Sequence, residues 1–202
     1  MEFDVEGTTY GPEGRVYYAS GKPCDRDVLA SQPVLNELAH IACLCNDAKI
    51  LYDEEVDQFQ KLGEPTEAAL RAVVEKLGTD SREFNRQIPI INTSADLARL
   101  SPREKLWRSG QACEYVESKY DKSITFEFSR ERKSMSVLVE RIEGAKKGVK
   151  VLMVKGAPEQ ILERSSYIRL TTSPDKSVPL TDDLREKILN KVCVCLSQIL
   201  KW

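Results

Sequence analysis

The sequence predicts an α+β domain: a mostly antiparallel sheet flanked by helices. Three strand-like runs, at 124–129, 135–142 and 149–155, are separated only by turn material. Stretches with apolar residues at helical spacing lie before and after them at irregular intervals. That differs from the regular strand–helix alternation of a parallel sheet. A chain of 202 residues suits one domain of ordinary size and can bury a core without staples.

The elements follow in order. "FDVEG" and "RVYYAS" read as short strands around the turn material "TTYGPEG". Residues 25–46 carry the spacing of one helix, with Leu35, Leu38, Ala39, Ala42 and Cys43 on one side and Pro33 in its first turn. "ILYDEEVDQFQKLG" is ambiguous strand material. It leads into a helix whose predicted apolar stripe is Ala69, Leu70, Val73, Val74 and Leu77, with Gly78 as its stop. From Gln87 the chain reads as a loop and then a helix, with Ser101 as cap, Pro102 first and Glu104 three after the cap. Gly110 weakens that helix near its middle. After the three strand runs, in which "GAKKG" forms a hairpin-like connection, Pro158 opens a short helix. "YIRLTT" reads as a strand, and Thr181 caps a final amphipathic helix.

Composition excludes several classes. A formal charge of −2 argues against a general nucleic-acid binder, so any anion site must come from a local cluster. No apolar run reaches the roughly 18 residues of a membrane span, and the acidic N-terminus has no signal-peptide pattern. None of the six cysteines forms a C-x-x-C pair and His40 is the only histidine, so no strong metal site is expected. The cysteines are expected to be buried, reduced thiols, and His40 a packed helix residue. Neither phosphate-binding glycine fingerprint is present, nor is a G-x-S-x-G elbow.

Three segments could carry chemistry. In "ITFEFSRERKSMSVLVERI", period two puts Ile124, Phe126 and Phe128 on one face. Phe128 is either core or an aromatic platform beside Arg130, Arg132 and Lys133. In "VLMVKGAPE", a buried strand leads straight to Lys155, a charge that must reach solvent or find a partner. Gly156 and Ala157 leave room there for a flat ligand. In "GEPTEAAL", Glu67 is either an ordinary first-turn residue or an acceptor for an exocyclic amine.

Taken together, "CNDAK", "GEPTEAAL", "EFSRERKSMSV" and "VKGAPEQILERS" resemble, in order and spacing, the nucleotide-binding domain of P-type cation ATPases. The similarity is greatest to the sarco/endoplasmic reticulum-type calcium ATPases and covers nearly the whole chain. The resemblance implies that Phe128 stacks on adenine and that Glu67 meets the adenine amino group. It puts Lys155 deep in the pocket, lined by Gly156 and Ala157, with Arg130 near the phosphates and Lys133 at the rim. Arg132 receives no role.

The D-K-T-G-T motif that carries the family's phosphorylated aspartate is absent. Residues 1–202 are therefore expected to be a single cytoplasmic nucleotide-binding domain excised from a larger membrane pump, lacking its last strand and inactive alone. The parent resembles an ATP-hydrolysing calcium translocase. The resemblance implies ATP as ligand, with Mg2+ coordinated mainly outside this segment, and phosphorylation and actuator domains as partners. Calcium would be carried by an absent membrane domain, and the segment would face the cytosol at the endoplasmic or sarcoplasmic reticulum. The alternative is a phosphate- or polyanion-binding interaction module without adenine selectivity.

Overall fold

The structure, a computed structural model, describes residues 2–144, 147–170 and 172–199. Strands β1 (Phe3–Val5) and β2 (Val16–Tyr18) pair antiparallel around the expected turn. The single helix expected over residues 25–46 is two, α1 (Val28–Ser31) and α2 (Pro33–Leu44). The break falls at Gln32, whose φ of −127° and ψ of 83° are not helical. A residue before proline is pushed out of the helical region by the ring. Ala39, His40, Ala42, Cys43 and Leu44 form the buried side of α2, whereas Leu38, expected inside, is 54% exposed.

The ambiguous segment resolves into a hairpin of β3 (Lys49–Asp53) and β4 (Gln58–Leu62). Helix α3 (Pro65–Leu77) stops at Gly78, whose φ of 81° is left-handed. Its buried face is rotated from the predicted stripe: Ala69 is exposed, and Arg71 and Glu75 turn inward. Each inward charge meets a partner. Arg71 donates to Glu117 at 2.6 Å, and Arg108 donates to Glu75 at 2.9 Å.

Two short helices, α4 (Arg82–Gln87) and α5 (Ser94–Ala98), occupy ground without a helix prediction. α6 (Pro102–Arg108) has the expected capping box of Ser101 and Glu104. At Gly110 the expected single helix breaks, and α7 (Gln111–Glu117) starts afresh. Glu75 explains the restart. Its carboxylate accepts the backbone N–H groups of Ala112 and Cys113 at 3.1 and 2.9 Å, satisfying donors that a helix start leaves without partners.

Strands β5 (Tyr120–Ser129), β6 (Ser134–Arg141) and β7 (Lys150–Gly156) form one antiparallel sheet with β6 in the middle. Ala145 and Lys146 of the predicted "GAKKG" connection lie outside the described residues. α8 (Pro158–Arg164) precedes β8 (Tyr167–Leu170), which pairs with β9 (Ser173–Pro179), a strand without a sequence prediction. α9 (Asp182–Ile199) follows, with the Thr181 hydroxyl accepting the N–H of Leu184. All pairing is antiparallel, as predicted, but the described strands form four small sheets rather than one.

The main core joins α2, α3 and α7 to one face of the three-stranded sheet. Met135, Val137 and Val139 of β6 and Met153 of β7 supply the sheet side. His40 is packed there as expected, its Nδ1 3.0 Å from the Tyr120 hydroxyl. Cys43, Cys45 and Cys113 are buried, but Cys24 is only partly so and Cys193 is exposed. The side chain of Cys195 lies outside the described residues. Among the described residues no helix is long and apolar enough to cross a membrane.

Candidate functional site

The strand carrying Lys155, the start of α3 and the β5–β6 turn come together at one end of the sheet. Glu67 lies in the first turn of α3, and its Oε1 is 2.7 Å from Lys155 Nζ. Both side chains are about four-fifths buried, at 18% and 19% exposure. The strand β7, expected to be buried, is an edge strand exposed over Lys150–Leu152, and the charge near its end is neutralised by a carboxylate 88 residues away in sequence. The second Glu67 oxygen accepts the Asp47 N–H at 3.0 Å.

Asn46 fixes the end of α2 against the start of α3. Its Nδ2 donates to the carbonyls of Ala42 and Glu67 at 2.9 and 2.8 Å, and its Oδ1 accepts the Ala48 N–H. Cys45 Sγ donates to the Met135 carbonyl at 3.4 Å. Burial pushes the Cys45 thiol up, with neighbouring Lys155 working in the opposite direction.

Phe128 reaches this site through a change of register. Phe126 pairs with Ser136 and Ser129 with Ser134, so three steps on β5 match two on β6. The additional residue is a β-bulge, and it breaks the period-two alternation. Phe126 shares the face of Ser136. Phe128, next to Ser129, falls on the opposite face with Met135 and its partner Lys155. The expectation that Ile124, Phe126 and Phe128 share one face is therefore corrected. Phe128 is 60% exposed, so it is not a core residue.

The three cations of the turn are not equivalent. Arg132 is structural: its Nη2 donates to the Glu127 carbonyl at the bulge at 2.6 Å, and its Nε to Ser129 Oγ at 3.1 Å. Lys133 has a left-handed φ of 46° and is 3.6 Å from Glu159, both side chains more than half exposed. Arg130 is exposed and has no hydrogen bond or ion pair among the described residues. α8 anchors the turn from beneath, because Arg164 donates to the Arg132 carbonyl at 2.9 Å and to Ser134 Oγ at 3.2 Å.

Gly156 has a different reason from the one its sequence context suggested. A Cβ there would stand 2.4 Å from the Lys133 carbonyl oxygen and 2.7 Å from Ser134 Cβ. That side of the glycine is filled by the β5–β6 turn, so it offers no room to a ligand. The Ala157 N–H donates to the same carbonyl at 3.0 Å. Gly156 and Ala157 hold the turn that carries Arg130 and Lys133.

The arrangement is an open aromatic and cationic rim around a partly buried Lys–Glu pair. Residues 34–201 match the family model for the P-type ATPase cytoplasmic domain N. The chain belongs to the cytoplasmic N-domain family of P-type ATPases. It is 42% identical over 181 residues to an endoplasmic reticulum calcium ATPase, srcA, of Aspergillus fumigatus, covering 89% of this chain and 16% of that protein. It is 38% identical over 180 residues to an endoplasmic reticulum-type calcium-transporting ATPase 3 of Arabidopsis thaliana, with the same coverage. The chain therefore spans about a sixth of the length of these relatives.

For an N domain the bulge, Asn46 and Arg164 are the supports that residue-by-residue reading missed. "CND" stood in the motif set without a role for its asparagine. Nothing in the local pattern pointed from Arg164 to the turn, since the two are 30 residues apart.

Proposed function

We propose that this N domain binds ATP and belongs to an endoplasmic reticulum-type calcium-transporting ATPase. The observation that carries the proposal is that Phe128 and Lys155 share one face of the sheet beside Glu67 and the guanidinium of Arg130, which has no partner among the described residues. Phe128 offers an exposed aromatic face for adenine, a stack worth roughly 1–3 kcal/mol. The Glu67 carboxylate has more lone pairs than its two present bonds use, so it can also accept the adenine amino group. Arg130 meets the phosphates. Lys133 joins it, because its exposed ion pair with Glu159 costs little to exchange for a phosphate.

Such a domain contributes positioning. It holds the nucleotide by its adenosine end and presents the γ-phosphate to an aspartate in a neighbouring phosphorylation domain outside these residues. Mg2+ would supply neutralisation of phosphate charge, with its protein ligands mainly in that neighbouring domain. The parent protein would couple ATP hydrolysis to calcium movement, with this domain and its actuator and phosphorylation partners on the cytosolic side of the reticulum. The outer edge of β7 pairs with no strand among the described residues and has exposed Val151 and Leu152. This supports a last strand contributed from outside the chain.

Titration of the 202-residue chain with ATP, GTP and tripolyphosphate, followed by amide NMR, tests the reading. ATP should give saturable shifts centred on Phe128 and Lys155 at lower concentration than GTP. Tripolyphosphate competing as well as ATP would instead identify a polyanion module without adenine selectivity.

A further inference from the structure

A cavity of about 290 Å3 opens on another part of the molecule, between the end of α3, the 23–28 segment and the 89–92 segment. Its charged lining is Arg15, Arg26, Lys76 and Arg108 against Asp25 and Glu75. Four cations face two acids in the lining itself, although Asp27 also acts on Arg26, and Glu13 and Glu6 on Lys76. It shares no residue with the Lys155 site.

Glu75 is already committed, whereas Asp25, which is exposed, keeps its charge. Glu75 accepts from Arg108 and from the two N–H groups of α7. Asp25 accepts the Asp27 N–H at 2.9 Å. Two of the cations are also engaged: Arg108 donates further to the carbonyls of Glu75 and Pro89, and Lys76 to the Glu6 carbonyl at 2.5 Å. Arg26 is different. It is partly buried, and its guanidinium has no hydrogen bond or ion pair among the described residues. Burial and the like charge of Arg108 push its pKa down to about 10, with Asp27 opposing them. Five N–H donors held partly out of water, next to a second guanidinium, are costly unless an acceptor arrives.

We propose that this cavity is a second anion site, which takes a small phosphate-bearing ligand on Arg26 with Lys76 and Arg108 behind it. A doubly charged tetrahedral oxyanion matches the planar guanidinium fork of Arg26 and the further cations of the lining. The cavity also has room for a small organic group on the phosphate. The site stands independently of the ATP reading.

The test uses the whole chain, with inorganic phosphate and glycerol 3-phosphate as separate probes and sodium chloride at matched ionic strength as control. Amide NMR should show saturable shifts at Val16, Gly78 and Asn92, with Phe128 and Lys155 unmoved. Tighter binding of glycerol 3-phosphate would assign the site to a phosphate ester, and equal binding to the free ion. Arg26→Gln should weaken binding about tenfold or more, the scale of a lost charged hydrogen bond. Exposed Arg103→Gln should leave it unchanged. If Arg26→Gln loses the dispersed spectrum of the fold, Lys76→Gln takes its place with the same direction of effect. Shifts that chloride reproduces, or saturable binding that survives the substitution in a folded variant, would overturn the proposal.

Discussion

Replacing Phe128 by alanine separates two roles that make opposite predictions. A buried phenylalanine costs about 3–5 kcal/mol of stability on truncation to alanine. Phe128 is 60% exposed, so only about two-fifths of a burial worth up to ~3 kcal/mol is at stake. Phe128→Ala should therefore destabilise the fold by about 1 kcal/mol. Its effect on ATP should be larger: loss of a stack of 1–3 kcal/mol weakens binding about 5- to 150-fold. Phe126→Ala is the internal control. Phe126 is 46% exposed and two residues away, but the bulge leaves it on the other face, so ATP affinity should not change. Urea denaturation gives the stabilities, and calorimetric titration with ATP gives the affinities. Equal weakening by the two substitutions would refute the register argument. A stability loss above about 3 kcal/mol for Phe128→Ala would return that residue to the core.

Glu75→Ala removes the partner of buried Arg108 and the acceptor for two α7 N–H groups. Breaking one side of a buried ion pair costs about 3–5 kcal/mol, read as a lower urea midpoint; a loss below about 1 kcal/mol would show that the pair is dispensable. His40, the only histidine, has its pKa pushed down to about 4, chiefly by burial. The unfolded chain binds its proton near pH 6.5, so the His40 contribution is fully present above that pH. It is lost as pH falls towards 4, to a limit of roughly 3 kcal/mol. His40→Gln should flatten the dependence of stability on pH across this window, and parallel curves for the two proteins would contradict the assignment.

Local signals were reliable where the physics is local. The Ser101 and Glu104 box and the Gly78 stop appear where predicted, because a cap involves only its own turn of chain. Gly110 was marked as a weak point but divides its helix outright, and Pro33, expected to sit harmlessly in a first turn, instead ends one helix before it and opens the next. At Gly110 the deciding group is Glu75, 35 residues earlier in sequence, whose carboxylate starts the second helix. The α3 stripe was rotated for a related reason. Hydrophobic spacing places charges outside, and Arg71 and Glu75 go inside because distant partners neutralise them.

For the candidate site, the motif set identified the family and the order of Glu67, Phe128, Arg130 and Lys155 along the chain. It also posed the question of what neutralises Lys155. Only the tertiary structure answers it with Glu67 at 2.7 Å, and only strand register turns Phe128 to the Lys155 face. It divides the turn cations into one that braces the bulge, one weakly paired and one without a partner among the described residues. The difference is one of range. Composition, caps and motifs depend on neighbours in sequence, whereas a bulge, a cross-chain ion pair and the burial of a charge depend on residues that meet only when the chain folds.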